Sequence, residues 1–199
     1  MSAEKDQLKA YRARRHFEMT PEPAGKAQKP PAIRPIFVIQ KHKATNLHYD
    51  LRLEAGGVLK SWAVPKGPSS DPKVKRLAMP TEDHPLEYAD FEGTIPKGEY
   101  GAGTVAVWDR GTYRNLKFKD GQEIPPETAI ADGHITFWLE GRKLQGGFAL
   151  TRTGQGGRAR WILVKMSDEK ADPAHDPVLE KPDSVLSGRS LEEIANANS

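Results

Sequence analysis

Cysteine is absent from the 199-residue chain. That excludes disulfides, thiolate zinc sites, iron–sulfur clusters and thiol nucleophiles together. A metal, if there is one, must be held by histidine, carboxylate and oxygen, the harder ligand set. Long apolar runs are also missing. No stretch approaches the ~20 residues that a membrane span needs, and no signal-peptide core follows Met1, so the chain reads as cytoplasmic with no membrane contact. Charge of one sign is scarce: 30 basic residues against 27 acidic leave +3. With a pI near 9.0, this is compatible with a nucleic-acid partner but does not demonstrate one. Hydrophobic residues at 37% and charged ones at 29% supply one real core but not two large ones.

Extended amphipathic patterns are equally scarce. The best helix candidate is residues 4–17, where Leu8, Tyr11 and Phe17 make a thin apolar stripe. A Pro-rich segment, residues 20–35, follows as an extended arm lying on a body. From Ile36 to Met166 the texture changes to short β-type runs at Phe37–Gln40, Leu47–Leu53, Val58–Val64, Thr104–Trp108, Ile135–Leu139, Phe148–Thr151 and Trp161–Lys165. Glycine turns separate them, at 55–57, 98–103, 145–147 and 154–157, and no helices alternate with them. This predicts a mainly β fold with short helices, an antiparallel barrel or sandwich. The expected division is an N-terminal helix and arm at 1–35, a barrel domain at 36–166, and a polar tail at 167–199 that leads toward further domains. The tail carries a short helix candidate at Ser190–Ala195.

The segment richest in chemistry is residues 40–53, QKHKATNLHYDLRL. At period two, Leu47, Tyr49, Leu51 and Leu53 share one face, as a core requires, and His48, Asp50 and Arg52 share the other. His42 lies six residues upstream of His48, across a short turn, and folds back beside it if the two runs pair. Two histidines and a carboxylate suit Mn, Fe or Zn. Arg52 beside them suggests an anionic substrate, because guanidinium binds phosphate or carboxylate as a fork. The plain alternative is a solvated strand face. A His-x-Asp pair also marks iron/2-oxoglutarate oxygenases, for which His134 and Arg142 would supply the distal histidine and the co-substrate arginine. Spacing alone does not separate that reading from phosphate chemistry. A second cluster, residues 81–88, brings His84, in an extended or turn conformation before Pro85, and Tyr88, against the alternative of an acidic surface turn. Lys66 and Arg76 sit near the ends of a loop, where cations reach phosphates or are merely solvated. Residues 95–104, IPKGEYGAGT, lack the Gly-Lys-Ser/Thr ending of a P-loop and lead into a strand, so they read as a tight turn without a nucleotide role.

Two longer runs, FVIQKHKATNLHYDLRLEAGGVLKSWAVPKGPS and HPLEYADFEGTIPKGEYGAGTV, closely resemble the 3′-phosphoesterase domain of bacterial DNA ligase D, the end-joining ligase, and its free-standing relatives. The similarity extends from RRHFEMTPEP in the arm through WILVKM to SVLSGRSLEEIA in the tail. It implies a compact β-barrel enzyme, using manganese or a similar divalent ion, that processes 3′ ends of primer–template DNA. Such enzymes trim a terminal ribonucleoside to leave a 3′-phosphate and then remove that phosphate. The resemblance also implies ligase and polymerase domains as possible partners in one chain. By position it assigns His42, His48 and Asp50 to the metal, and Arg52, His84 and Tyr88 to the phosphate. Lys66, Arg76, Gln40 and Glu82 match secondary positions, and Arg15 and Glu22 match residues of the ribonucleoside step. One departure matters: many relatives carry Arg-Asp-Phe where this chain has Arg15-His16-Phe17, an imidazole in place of a carboxylate. No residue is identified as the nucleophile, which leaves a metal-activated water as the default. Against the enzyme stand a β-barrel module that only binds DNA ends or repair partners and, last, the oxygenase.

Overall fold

The computed structural model describes residues 6–25, 34–154 and 159–197. Two tight hairpins organise its front wall. β1 (Ile36–Lys43) returns through residues 44–46 into β2 (Leu47–Ala55). β2 returns through Gly56 and Gly57 into β3 (Val58–Val64). Both glycines have positive φ, 59° and 80°, as a two-residue turn matched to strand twist requires. The turn fixes the β2–β3 register and with it the pairs Arg52↔Ser61 and Asp50↔Ala63.

The remaining strands are β4 (Lys75–Pro80), β5 (Gly93–Ile95), β6 (Gly103–Asn115), the small hairpin β7 (Phe118–Lys119) and β8 (Gln122–Glu123), then β9 (His134–Gly141), β10 (Gln145–Thr153) and β11 (Arg160–Lys165). In space the order is β1-β2-β3-β4-β11-β10-β9-β6, and a β1–β6 pairing closes the ring. The result is an eight-stranded antiparallel barrel with few short helices, the fold class expected from the sequence. β5 adds to the start of β6. Closure removes the free edges that an open sheet would present.

Period two sorts the side chains. Phe37 and Ile39, Tyr49 and Leu51, Trp62 and Val64, Phe137, Phe148, Leu163 and Trp108 pack together inside. A second apolar cluster, Tyr11, Val38, Leu59, Tyr88, Phe91, Ile95, Val105 and Val107, lies on the outer face of β1, β3 and β6. The front wall is therefore buried on both sides. Its outer cover comes from the segment 6–25 and from residues 84–91, which end in a 3-10 helix, Leu86–Asp90. At the bottom of the core, α2 (Pro126–Ala131) contributes Ala129 and Ile130, and α3 (Pro177–Glu180) contributes Val178. α4 (Leu191–Ala197) packs on β5 and β6 with Ile194 buried. Ser190 caps this helix in a reciprocal box: its hydroxyl accepts from the Glu193 amide, and the Glu193 carboxylate accepts from the Ser190 amide.

Several expectations need correction. Of the helix expected over 4–17, the described residues 6–17 hold one turn, α1 (Lys9–Arg12), with Tyr11 fully buried on the barrel. Three apolar residues in fourteen do not sustain a longer helix. Half of the Pro-rich segment, 26–33, lies outside the described residues, as do 155–158 around the last glycine turn. β4 and β5 carry too little alternation to be read in advance. Leu47, at the exposed start of β2, is 39% accessible and does not join the core. No described helix is long and apolar enough to cross a membrane.

Candidate active site

The outer face of the front wall carries the polar residues. His42 and His48 are directly opposite each other in the β1–β2 ladder, and Gln40 faces Asp50. The imidazole rings are 4.8 Å apart. One nitrogen of each is fixed by a backbone carbonyl: His42 Nε2 lies 2.9 Å from Gly101 O, and His48 Nδ1 3.0 Å from Asn46 O. The other nitrogens, His42 Nδ1 and His48 Nε2, converge on the two oxygens of Asp50 at 3.7 Å each. That is too long for a hydrogen bond, and one ligand atom from each residue falls within 4.8 Å of the others. A carbonyl on the rear nitrogen and a converging front nitrogen is how ligating histidines are normally oriented. The donor set therefore fits a divalent transition ion, with positions left for substrate oxygens.

Arg52, only 3% exposed, organises the floor. Its Nε donates to Gln40 Oε1 at 2.7 Å, Nη1 to Ser61 Oγ at 3.0 Å, and Nη2 to Asp50 Oδ2 at 3.1 Å, while Nη1 also lies 2.9 Å from His84 Nδ1. Gln40 is held in turn by donating to the carbonyls of Tyr88 and Phe91. Burial alone would raise the Asp50 pKa, but the Arg52 guanidinium and the two imidazoles outweigh it and hold the carboxyl well below its usual range. His84 has the opposite fate. Burial first, then Arg52 and Arg15 on its two sides, push its pKa well below the ordinary value, so the ring is neutral at neutral pH.

The segment 6–25 supplies the roof. Arg15 donates to Glu22 at 2.9 Å and to Glu82 at 3.1 Å, and its guanidinium lies over the Tyr11 ring at 3.8 Å. Glu22, buried, also accepts from Thr20 and from the Tyr88 hydroxyl, each at 2.9 Å. Burial and the nearby Glu22 push the Tyr88 phenol well up, which keeps it a donor. These groups enclose a cavity of about 290 Å³ lined by Arg15, Glu22, His42, His48, Asp50, Arg52, Glu82, His84, Tyr88, Tyr100 and Gly101, among others.

Of the residues singled out from sequence, ten thus share one constellation: His42, His48, Asp50, Arg52, His84, Tyr88, Arg15, Glu22 and Glu82 line the cavity, and Gln40 supports it from beneath. Lys66 and Arg76 do not line it. Lys66 is exposed in the loop after β3, and Arg76 lies on β4 opposite Leu163, with its Nε buried and without a hydrogen-bond partner. The oxygenase pair is not assembled either. His134 meets Thr151 on the β9–β10 ladder, Arg142 donates to the Val185 carbonyl, and neither borders the cavity. Sequence reasoning missed Ser61, although the Gly56-Gly57 turn places it opposite Arg52. It also missed Tyr100 and Gly101, in the segment read as a plain turn.

Comparison with known proteins now adds to the geometry. The family described as the DNA ligase D 3′-phosphoesterase domain matches residues 40–152. The chain is 49% identical over 188 residues to the multifunctional non-homologous end joining protein LigD of Pseudomonas aeruginosa, a match covering 92% of this chain and 22% of that protein. It is 46% identical over 165 residues to the multifunctional non-homologous end joining DNA repair protein LigD of Mycobacterium tuberculosis, covering 83% of this chain and 20% of the relative. For LigD of Mycolicibacterium smegmatis the figures are 45% over 166 residues, 83% and 21%. The chain thus spans about a fifth of the length of these relatives. With a matching family over more than half its residues and near-half identity across most of its length, the chain belongs to the DNA ligase D 3′-phosphoesterase domain family.

Proposed function

We propose that the chain is a metal-dependent phosphoesterase that repairs DNA 3′ ends in end joining. It removes a 3′-phosphate and trims a 3′-ribonucleoside at primer–template ends, with Mn²⁺ as the preferred ion. The observation that carries this reading is the open His42–His48–Asp50 cluster beside the buried Arg52, in a cavity of about 290 Å³. When bound there, a divalent ion neutralises charge on the phosphate and acidifies water.

The chain's own residues do the rest. Arg52, pre-set by Gln40, Ser61 and Asp50, offers its remaining Nη2 hydrogen and its charge to the phosphate oxygens, so little reorganisation is needed. His84 is neutral and held at Nδ1 by both Arg52 Nη1 and the Glu82 carbonyl, each at 2.9 Å, with Arg15 Nη2 3.4 Å from Nε2, so the ring is fixed beside the proposed phosphate position. Tyr88 keeps its hydroxyl proton on Glu22 and so holds the roof in place. Arg15, Glu22 and Glu82 form one buried ion network above the floor, which supports a role in positioning a larger end group than phosphate. Lys66, Arg76 and the basic arm are proposed to hold the duplex by its backbone, an attraction that weakens as salt rises. Ligase and polymerase domains, in the same chain or separate, are the proposed partners, and the site of action is the cytoplasm where the DNA lies.

Purified protein incubated with a 3′-phosphate primer–template and Mn²⁺ tests this. The His48→Ala protein is expected to lose about 100-fold or more of the activity. Near-normal phosphate release by His48→Ala, or turnover only with 2-oxoglutarate and Fe²⁺, would refute the reading. Unchanged end binding with no product from wild type would leave a binding module instead.

A further inference from the structure

The glycine-rich segment between β5 and β6 is not a plain connection. Gly98, Gly101 and Gly103 all have positive φ, at 100°, 79° and 142°, and between them the chain swings Tyr100 to the mouth of the cavity. A Cβ at Gly103 would run into the Lys43 carbonyl, so the loop is pinned directly against the end of β1 and the turn that joins His42 to His48. Gly101 O meets His42 Nε2 from the same loop.

Tyr100 is 45% exposed, yet its polar end is held by two partners. Its hydroxyl accepts from Arg14 Nη1 at 2.8 Å and donates to Glu82 Oε2 at 3.4 Å. The Arg14 and Arg15 guanidiniums lie 4.9 and 5.5 Å from its ring centroid. The other aromatic phenol lining the cavity, Tyr88, is buried. A half-exposed ring, tethered by its polar end and backed by guanidinium, beside a phosphate-sized set of donors, has the features of a base-stacking platform. The cavity volume is near the lower end of the range that takes whole small ligands, leaving room beside a phosphate.

We infer that Tyr100 stacks on the nucleobase of the nucleotide that carries the reacting 3′-phosphate. It is a substrate-binding residue that makes the site prefer base-bearing ends over abasic ends and small phosphate monoesters. This rests on the proposed phosphoesterase activity and adds to it a contact with the base.

A four-way comparison tests it. Primer–templates ending in a 3′-phosphate, with the last nucleotide either normal or abasic, are turned over by wild type and by Tyr100→Ala, with Tyr100→Phe and Tyr100→Trp as ring-retaining variants. On the normal end, Tyr100→Ala is expected to raise KM about tenfold or more, within the range of alanine substitutions at stacking sites. On the abasic end it should change KM less than threefold, and Phe and Trp should stay near wild type on both. Equal loss on normal and abasic ends would overturn the inference, as would no loss on either. A Phe variant as weak as Ala would also overturn it by assigning the role to the hydroxyl. Failure of wild type to release phosphate from any end would instead bring down the proposed activity.

Discussion

Removing Arg52 is the most informative single perturbation. Its guanidinium is almost wholly buried and serves Gln40, Ser61, Asp50 and the ring of His84, with the centroid of the Tyr88 ring 4.9 Å away. In Arg52→Ala, the Asp50 carboxylate keeps its burial but loses its principal counter-charge, and Gln40 Oε1 loses its donor. Breaking a buried pair from one side costs about 3–5 kcal/mol. At roughly 2–4 °C per kcal/mol for a chain of this size, the melting temperature should fall by about 6–20 °C. Urea unfolding of the metal-free protein gives the free energy directly. Its pH dependence gives a second reading of the same cause. In wild type the Asp50 pKa is depressed in the folded state. Its stabilising contribution is therefore present above the unfolded value near 3.9 and lost as pH falls through the folded one. In Arg52→Ala, that acid-side loss should shrink or reverse. Arg52→Lys keeps a charge but not the planar fork and should recover part of the stability and little of the activity. A loss below about 1 kcal/mol with an unchanged acid limb would refute the claim that Arg52 is the electrostatic centre of the floor.

Two other outcomes follow from the same network. His84 should show no titration by NMR between pH 7.5 and 6.5, because its pKa is depressed. A depressed histidine leaves stability intact above pH ~6.5 and removes it as pH falls toward the folded value, so His84→Gln should flatten the stability decline below pH 6.5, and an equally steep decline would contradict it. Glu22→Gln should remove one of the two buried carboxylates that pair with Arg15, leaving Glu82, cost about 1–3 kcal/mol, and loosen the roof. Limited proteolysis should then cut within residues 9–25 faster than in wild type, and equal cutting rates would show that Glu22 does not hold the segment.

How much of this was readable in advance depends on how local each signal is. The alternation Tyr49–Leu51–Leu53 against His48–Asp50–Arg52 is local, and a two-residue glycine turn fixes a register, so the front wall and its polar face were legible. Short strands with no alternating helices pointed to an antiparallel barrel or sandwich, and the resemblance to the ligase D domain, not the strand pattern, selected the barrel. What covers the polar face was not legible. Asp50 and Arg52 would be a solvated strand but for Tyr11, Arg15 and Glu22, which pack from more than twenty residues upstream through a segment with almost no periodicity. β4 reads as a loop because Lys75, Arg76 and Pro80 hide its short pairing with β11. The turn at residues 95–104 was read for the motif it lacks, and its glycines hid the half-exposed ring of Tyr100 between them.

The central claim is that His42, His48 and Asp50 take up one divalent cation from the front wall. Calorimetric titration of the metal-free protein with Mn²⁺ tests it most directly, with His48→Ala and Asp50→Asn alongside. One ion per wild-type chain and at least tenfold weaker binding in each variant are the predicted results. Undiminished binding in both variants, or none in wild type, would contradict the account.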